Sequence, residues 1–206
     1  MVLMVKAKSY EHLLGRTGFS DAQLKAHFKL YEGYVSKLNE ILTRLKTADR
    51  ASANYSFGGY SELKRREPIA YNGTLLHELY FDAMGQPQSS GPPASVKKRI
   101  IESYGTWARW LADMKAAASS AHGWVLLVYD PSDKKLKTNL VHSEHHVGLF
   151  ANARVILALD LWEHAYVIQF GIKKSDYLEA FFDSLNWNIV ETRLNDLIPS
   201  FGPLRG

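Results

Sequence analysis

A carboxylate and an imidazole stand four residues apart in the segment Asp160-Leu161-Trp162-Glu163-His164. At this spacing the side chains of Asp160 and His164 can face a single metal ion. The sequence contains no cysteine, so thiolates cannot complete a structural zinc site. One carboxylate combined with imidazoles is typical of iron or manganese chemistry. Two further histidines are then required.

Two histidines upstream lie in segments with strong helical character. His27 follows Ser20 and Asp21, either of which can cap a helix whose apolar residues recur at three- and four-residue intervals. His77 lies in a second apolar segment that is rich in aromatic residues. A single histidine on an apolar helix face is more often a core residue held by a hydrogen bond. The combination of the three segments favours a shared metal site.

The first half of the chain, which carries His27 and His77, is predicted to form two long helices. The predicted helices cover residues 21–46 and 73–83, joined by a polar segment at 51–66. A turn-rich stretch at 85–93 then follows, which can continue neither a helix nor a strand. We therefore expect an N-terminal helical hairpin domain at residues 1–88 and a C-terminal domain at residues 89–206.

The second half is predicted to place helices around a small sheet. The predicted strands are 124–129, 136–141 and 155–159, and the predicted helices are 94–104, 106–119, 161–170 and 175–196. The whole chain is therefore expected to have an α+β fold, with a long-helix hairpin followed by helices around a three-stranded antiparallel sheet. Ligands from both halves would meet at their junction, where a bound metal would clamp the halves together.

Asp160 has two interpretations. It closes the apolar run at 154–159, where a buried carboxylate without a partner would be costly. The plain alternative to metal ligation is that Asp160 caps the helix that follows it. One carboxylate can do both, and His164 four residues later favours ligation.

The order of these segments resembles that of the iron/manganese superoxide dismutases, whose C-terminal motif is Asp-x-Trp-Glu-His-Ala-Tyr. The motif is present at residues 160–166, and the resemblance extends to the His27 helix, residues 72–77, Gly123-Trp124 and residues 177–187. It implies one iron or manganese ion per chain. The ligands that it implies are His27, His77, Asp160, His164 and one solvent molecule.

The resemblance also implies an activity, the conversion of superoxide into dioxygen and hydrogen peroxide by alternate reduction and oxidation of the metal ion.

Gly73 stands where iron enzymes of the family typically place a glutamine. His145 matches the position from which other members donate a hydrogen bond to the metal-bound solvent, and it would tune the redox potential there. The alternative for His145 is a place in a polar surface loop. Gly73 favours manganese and a histidine donor favours iron or either metal; we expect iron, with manganese as the alternative.

Two tyrosines follow His27 in the first helix. Tyr34 matches the family's tyrosine at the entrance to the solvent pocket, although it follows His27 by seven residues where most members have eight. Seven residues are close to two helical turns, so the side chains still share a face. Tyr31, four residues after His27, takes the place of a histidine usual in the family, so we expect it beside the metal ligands. The resemblance does not carry over that histidine's proton relay or partner contact. The alternative for both tyrosines is an ordinary place at the edge of the core.

Four further positions bear on the site and on assembly. Trp124 and Trp162 would wall a small, dry pocket. Glu163 matches the residue that, in the family, crosses a dimer interface to hydrogen-bond the partner's ligand histidine. Val167 replaces a tyrosine usual nearby. The resemblance therefore implies a homodimer with an altered interface, and a tetramer is the alternative.

The composition is that of an ordinary globular protein, with 46% hydrophobic residues and a formal net charge of +4. No apolar run is long enough to cross a bilayer, and the N-terminal residues do not form an export signal. We therefore expect a cytoplasmic protein without a membrane partner. Basic clusters at 64–66 and 97–99 are not accompanied by a nucleic-acid recognition motif, so we expect them to steer superoxide and do not expect a nucleic-acid partner.

Two other classes of function stay open at this point. A mononuclear non-haem iron oxygenase needs only two histidines and one carboxylate, and it keeps open positions for dioxygen and a co-substrate. A non-catalytic relative could instead act as a nucleic-acid or assembly protein through its basic faces. A co-substrate requirement would identify the first, and salt-dependent RNA binding by metal-free protein would identify the second.

Overall fold

The computed structural model describes residues 4–15, 17–86 and 91–196. Its first half contains two long helices, α1 (Asp21–Thr47) and α2 (Gly59–Asp82). α1 begins after Ser20, whose side chain accepts a hydrogen bond from the Gln23 backbone N–H at 3.2 Å. This is a standard N-cap, and it fixes where the helix that carries His27 starts.

α2 runs back along α1 as the second arm of a hairpin. Leu38 and Ile41 of α1 pack with Ala70 of α2 in a small apolar cluster. Further along, the rings of His27 and His77 lie 5.0 Å apart, centroid to centroid. The hairpin therefore brings together two histidines that are fifty residues apart in the sequence.

The predicted start of the second helix, at residue 73, was wrong. α2 begins at Gly59 and contains Pro68 in its interior. Its first half is polar and mostly partly exposed, and ion pairs such as Lys64 with Glu67 support it. A proline and a polar surface both weaken the helical pattern in the sequence, and packing against α1 overrides that signal.

The second half forms helices around a three-stranded antiparallel sheet, which confirms the predicted α+β fold. The elements are α3 (Ala94–Tyr104), α4 (Trp107–Ser120), β1 (Trp124–Asp130), β2 (Lys135–Val141) and β3 (Arg154–Asp160). The strand order is β2-β1-β3, and the central strand β1 is buried over most of its length. Trp124 at the start of β1 pairs with Asp160 at the end of β3. The sheet therefore delivers a carboxylate and an indole to the same edge of the core.

The chain after β3 is less helical than predicted. The single helix expected at 161–170 is a 3₁₀ turn (Glu163–Ala165) followed by the short helix α5 (Val167–Phe170). Gly171, with φ of 56°, ends α5 in a conformation that other residues adopt at a cost. The prediction of one continuous helix here was wrong because the spacing of apolar residues does not distinguish a helix from successive turns.

The helix predicted at 175–196 is also two helices, α6 (Lys174–Asp183) and α7 (Trp187–Asp196). At the break, backbone groups pair with the end of the first half. The Gly85 N–H donates to the Ser184 carbonyl at 2.7 Å, and the Asn186 N–H donates to the Ala83 carbonyl at 2.8 Å. These long-range backbone bonds interrupt the helix, and a local pattern cannot predict them.

One main hydrophobic core runs through both halves. It includes Tyr31 and Leu76 from the hairpin, and Trp124 and Leu157 from the sheet. The predicted domain boundary at 88/89 lies outside the described residues and stays a prediction, and the tail at 199–206 also lies outside them. Across the described part of the chain, no helix combines the length and the apolar character needed to cross a bilayer.

Candidate metal centre

Four side chains from four elements converge between the hairpin and the sheet. They are His27 of α1, His77 of α2, Asp160 at the end of β3 and His164 of the 3₁₀ turn. One ligand atom from each lies within 4.8 Å of all the others. The first three side chains are essentially buried, whereas that of His164 is 27% exposed. These are the four residues predicted as ligands from the sequence, and the structure brings them together.

One oxygen of the Asp160 carboxylate faces all three imidazoles. The Nε2 atoms of His27 and His164 each lie 3.1 Å from Asp160 Oδ2, and Nε2 of His77 lies 3.5 Å from it. The other oxygen, Oδ1, accepts a hydrogen bond from the Trp162 backbone N–H at 3.0 Å. Asp160 therefore supports the start of the turn that follows it with one oxygen and leaves the other for the cluster. It is not a helix cap, because the 3₁₀ turn begins after Trp162 and has no side-chain cap. Ligation of a metal ion by Asp160 stays a prediction.

The hydrogen bonds of His77 fix its tautomer. Its Nδ1 lies 2.5 Å from the Gly73 carbonyl oxygen, so Nδ1 carries the proton and donates it. Nε2 then presents a lone pair, and this buried atom has no hydrogen-bond partner among the described residues. A lone pair that faces a carboxylate oxygen is repelled by it, and a cation between the two removes that repulsion. The donor set therefore fits a metal ion.

Burial and the contacts among the four side chains determine their protonation. Desolvation lowers the pKa of His77 to about 3 and also lowers the pKa of His27. Burial by itself would raise the pKa of Asp160, but the charge and hydrogen bond of His164 and the hydrogen bond of His27 outweigh it and hold that pKa low. Neutral imidazoles and an ionised carboxylate are the forms that bind metal ions.

A second polar group lies beside the cluster. The Trp124 indole N–H donates to His145 Nδ1 at 2.8 Å, so the neutral ring carries its proton on Nε2. That Nε2 lies 2.7 Å from the Tyr34 hydroxyl oxygen. Desolvation lowers the pKa of His145 to about 4 and raises the pKa of Tyr34. The ring N–H of His145 is thus directed to Tyr34, and a direct bond from His145 to metal-bound solvent stays a prediction.

The backbone of the His145 loop is unusual. Glu144 and His145 both have positive φ values, 48° and 60°. Residues other than glycine adopt positive φ values at an energetic cost. Functional sites tolerate this cost where the backbone conformation orients a side chain. His145 is 3% exposed, so the alternative of a polar surface loop does not hold for this residue. His142 in the same loop is exposed.

Gly73 explains how Tyr34 fits next to the cluster. A Cβ atom at Gly73 would lie 2.5 Å from the Tyr34 ring. The ring centroid of Tyr34 lies 5.3 Å from that of His77, one turn further along α2. A residue without a side chain is therefore required at this position, and the seven-residue spacing from His27 still delivers Tyr34 to the site.

Two contributors to the site were not assigned from the sequence. The Tyr177 hydroxyl donates to the backbone carbonyl of Asp160 at 2.5 Å, and the Gln23 amide donates to the backbone carbonyl of His164 at 2.6 Å. Both act on the backbone of a predicted ligand from a distant element. The one signal for Gln23 in the sequence is its position four residues before His27, on the same face of the helix.

Comparison with known proteins identifies the family. Residues 92–193 match the family model described as iron/manganese superoxide dismutases, C-terminal domain. The chain is 34% identical to a superoxide dismutase [Fe] of Aquifex aeolicus, over 91% of this chain and 90% of that protein. It is 35% identical to a superoxide dismutase [Fe] of Cupriavidus metallidurans, over 86% of this chain and 89% of that protein. It is 30% identical to superoxide dismutase [Mn] 2 of Halobacterium salinarum, over 85% of this chain and 86% of that protein.

The chain belongs to the iron/manganese superoxide dismutase family. Relatives named for iron and for manganese both match over most of the chain, so membership supports iron or manganese as the metal. The predicted resemblance is thereby confirmed.

The ring of Tyr31 lies 6.4 Å from that of His77, centroid to centroid, but the Tyr31 hydroxyl makes its contacts elsewhere. Tyr31 is fully buried, and its hydroxyl donates to Glu78 at 2.9 Å and accepts from the Lys8 backbone N–H at 2.9 Å. Lys8 also forms an ion pair with Glu78 at 3.3 Å. Tyr31 therefore ties the N-terminal segment to α2, and its hydroxyl is engaged away from the Tyr34–His145 pair.

The remaining predicted positions surround the cluster. Trp124 is fully buried, and its ring centroid lies 5.1 Å from that of His77. Trp162 packs against His122 at 4.7 Å between ring centroids, and its buried indole N–H has no partner among the described residues. Glu163 is exposed beside His164. Trp124 thus packs against a predicted ligand, and the dry pocket that the two tryptophans would wall stays a prediction.

Proposed function

We propose that this chain is a superoxide dismutase with one iron or manganese ion held by His27, His77, Asp160 and His164. The observation that carries the proposal is the orphaned Nε2 of His77, which faces an ionised carboxylate oxygen at 3.5 Å together with two further imidazoles. Four protein ligands exceed the two histidines and one carboxylate of the iron oxygenase site, which needs more open positions. The dismutase is therefore the better match to this donor set.

The reaction consumes two superoxide anions and two protons and yields dioxygen and hydrogen peroxide. When bound, the metal ion would supply one-electron redox chemistry. Asp160 would bring one negative charge to an ion held together with His27, His77 and His164. The apolar surroundings exclude bulk water, so the protein must deliver protons through its own polar groups.

We assign proton handling to Tyr34 and His145. Because the Nε2–H of His145 points to the Tyr34 oxygen at 2.7 Å, the Tyr34 O–H is free to donate in another direction. The pKa of Tyr34 is raised by burial, so this hydroxyl keeps its proton at neutral pH. Tyr34 thus offers a hydrogen-bond donor to an anion that enters the pocket.

A groove of about 420 Å³ between the two long helices reaches Tyr34. Its charged lining residues are Lys37, Arg44, Arg66, Glu40 and Glu62, so the basic side chains outnumber the acidic ones by one. A positive approach raises the local concentration of an anion, and superoxide is an anion. Basic residues of the 64–66 cluster also form ion pairs within α2, such as Lys64 with Glu67. We propose that the remaining positive charge steers superoxide, and we propose no nucleic-acid partner.

Iron is the metal that we propose, with manganese as the alternative. Both metals accept imidazole and carboxylate ligands, so the groups around them decide which one is active. The support for iron is the histidine at position 145. Gly73, which leaves no room for a glutamine side chain, supports the alternative, manganese. Elemental analysis of the purified protein, with activity assays after reconstitution with each metal, separates the two.

The metal site is tested by His77→Ala, with the exposed His12→Ala as a matched control. We expect the His77→Ala protein to retain less than about a tenth of the wild-type metal and activity, because removal of a ligand lowers metal affinity by more than the ten- to hundredfold typical of its supporting groups. His12→Ala should retain both. Full metal content in folded His77→Ala protein would contradict the proposed ligand set.

We also propose a homodimer, with a tetramer as the alternative. Glu163 and His164 lie next to the exposed apolar side chains of Val167 and Ile168, which are 43% and 54% exposed. Apolar side chains next to a partly exposed ligand favour burial against another chain. Light scattering should give twice the chain mass of 23.3 kDa, and Ile168→Glu should shift it towards the monomer. A wild-type monomer at micromolar concentration would contradict the dimer.

The cytoplasmic location stays a prediction that cell fractionation can test.

A further inference from the structure

Gln23 is a buried polar side chain that makes all its recorded side-chain contacts outside its own helix. It is 0% exposed and lies in the first turn of α1. Its Nε2 donates to the His164 carbonyl oxygen at 2.6 Å, and its Oε1 accepts from the Ile168 backbone N–H at 3.1 Å. A buried amide with both ends satisfied connects two elements in a defined geometry.

The segment that Gln23 contacts needs an external partner. α5 is only four residues long, and Tyr166, which precedes it, makes no side-chain capping bond. The first N–H groups of a helix have no acceptor within the helix. Gln23 supplies that acceptor to Ile168, and more weakly to the Gln169 N–H at 3.4 Å. α1 therefore caps the short helix that follows the His164 turn.

Gln169 makes the reverse contact. Its Oε1 accepts from the Ser20 backbone N–H at 2.6 Å, and its Nε2 donates to the Gly18 carbonyl oxygen at 3.0 Å. A glutamine at the start of α1 thus binds the backbone of α5, and a glutamine of α5 binds the backbone at the start of α1. The Gln169 half of this arrangement contacts neither His164 nor another predicted ligand, and it is exposed at the surface.

We propose that Gln23 is a positioning residue for the metal centre. It fixes the backbone of His164 relative to α1, and α1 itself carries His27 four residues further on. As a result both imidazole Nε2 atoms reach the same Asp160 oxygen at 3.1 Å. Ligands that are held in place by surrounding groups bind a metal more tightly than mobile ones. The inference rests on the metal site proposed above.

The test compares Gln23→Met with Gln169→Met, two substitutions that preserve side-chain length and remove the amide. Each protein is reconstituted with manganese(II), and the rate of manganese loss to excess EDTA is measured together with the thermal unfolding midpoint. We expect Gln23→Met to lose manganese about tenfold faster than the wild type, the lower end of the range for groups that support ligands. Gln169→Met should stay within about twofold of the wild-type rate, although both variants should unfold at lower temperature.

If manganese loss is accelerated equally in the two variants, the Gln23 and Gln169 contacts act only through general stability. That result would overturn the inference. A wild-type release rate in Gln23→Met would also overturn it. A wild-type protein that takes up neither manganese nor iron would instead overturn the proposed function, so the two failures are distinguishable.

Unmodified protein provides a second measurement should Gln23→Met fail to fold. Amide hydrogen exchange is followed at Ile168, whose N–H is bound by Gln23, and at Leu136, whose N–H is bound by the Ser103 hydroxyl at 3.0 Å. We expect manganese binding to slow exchange at Ile168 by a larger factor than at Leu136. Equal slowing at both amides would overturn the inference.

Discussion

At the residue scale, the chemistry of the site depends on which atom of each side chain is already in use. His77 uses Nδ1 for the Gly73 carbonyl, and Asp160 uses Oδ1 for the Trp162 N–H. The remaining atoms, Nε2 and Oδ2, face each other across the cluster at 3.5 Å. Local hydrogen bonds thus orient the predicted ligands before any metal arrives, which reduces the cost of ordering them on binding.

The close packing of Tyr34 against Gly73 leads to a prediction at this scale. In Gly73→Ala the new methyl group would meet the Tyr34 ring at 2.5 Å, so the ring must move and its bond to His145 must weaken. We expect a loss of about 1–3 kcal/mol in the free energy of unfolding, as is typical of overpacking, and a lower activity per bound metal. Urea unfolding and an activity assay normalised to metal content measure the two effects.

Gly33→Ala is the matched control for this substitution. Gly33 is exposed in the interior of α1, and a Cβ atom there would meet nothing within 4 Å. The control should raise the free energy of unfolding by about 0.5–1 kcal/mol, because alanine is the better helix former. An unchanged Tyr34–His145 contact in folded Gly73→Ala protein, with full activity, would show that the close fit is not required.

At the element scale, helix ends and strand ends place the site. α1 starts at its Ser20 cap, β3 ends at Asp160, and the 3₁₀ turn that follows presents His164. The caps and the strand ends could be predicted because their signals are local. The polar first half of α2 and the break between α6 and α7 could not be, since ion pairs and backbone bonds to distant residues determine them.

The same distinction applies to the site. The four clustered residues and Tyr34 could be proposed from residue type, spacing and resemblance. Gln23 and Tyr177 could not, because each acts through a hydrogen bond to the backbone of a residue more than fifteen positions away. Such contacts exist only after the fold is complete, and a single sequence contains no periodic pattern that reports them.

Thr106 provides a prediction at this scale, away from the site. Its side chain caps α4 by accepting from the Arg109 N–H at 3.1 Å. Thr106→Ala should lower the free energy of unfolding by about 1 kcal/mol, while metal content and activity per metal stay at wild-type values. Thr106→Ser retains the hydroxyl and should restore most of the loss. A parallel loss of metal would show that α4 is coupled to the centre, contrary to this expectation.

At the scale of the whole molecule, the buried imidazoles make the metal-free fold sensitive to acid. Burial lowers the pKa of His77 to about 3 and that of His145 to about 4, and it also lowers the pKa of His27. The unfolded chain, with histidine pKa values near 6.5, then binds more protons than the folded chain as pH falls below about 6.5. The folded state therefore loses stability on acidification through that range.

We expect the free energy of unfolding of metal-free protein to fall between pH 6.5 and pH 4 by up to about 1.4 kcal/mol per pH unit for each such imidazole. Urea unfolding at a series of pH values measures the slope. His145→Gln removes one of these groups and should reduce the slope by about one imidazole's share. A stability that is constant over this range would contradict the neutral state assigned to these rings.

The positions of the four clustered residues along the chain also have a consequence for biosynthesis. His27 and His77 leave the ribosome first, whereas Asp160 and His164 follow more than eighty residues after His77. The pair from the hairpin can meet as soon as the two long helices pack. The centre, however, needs a strand from the finished sheet and the turn after it. A nascent chain therefore cannot capture an ion with the full set of proposed ligands until His164 has left the ribosome.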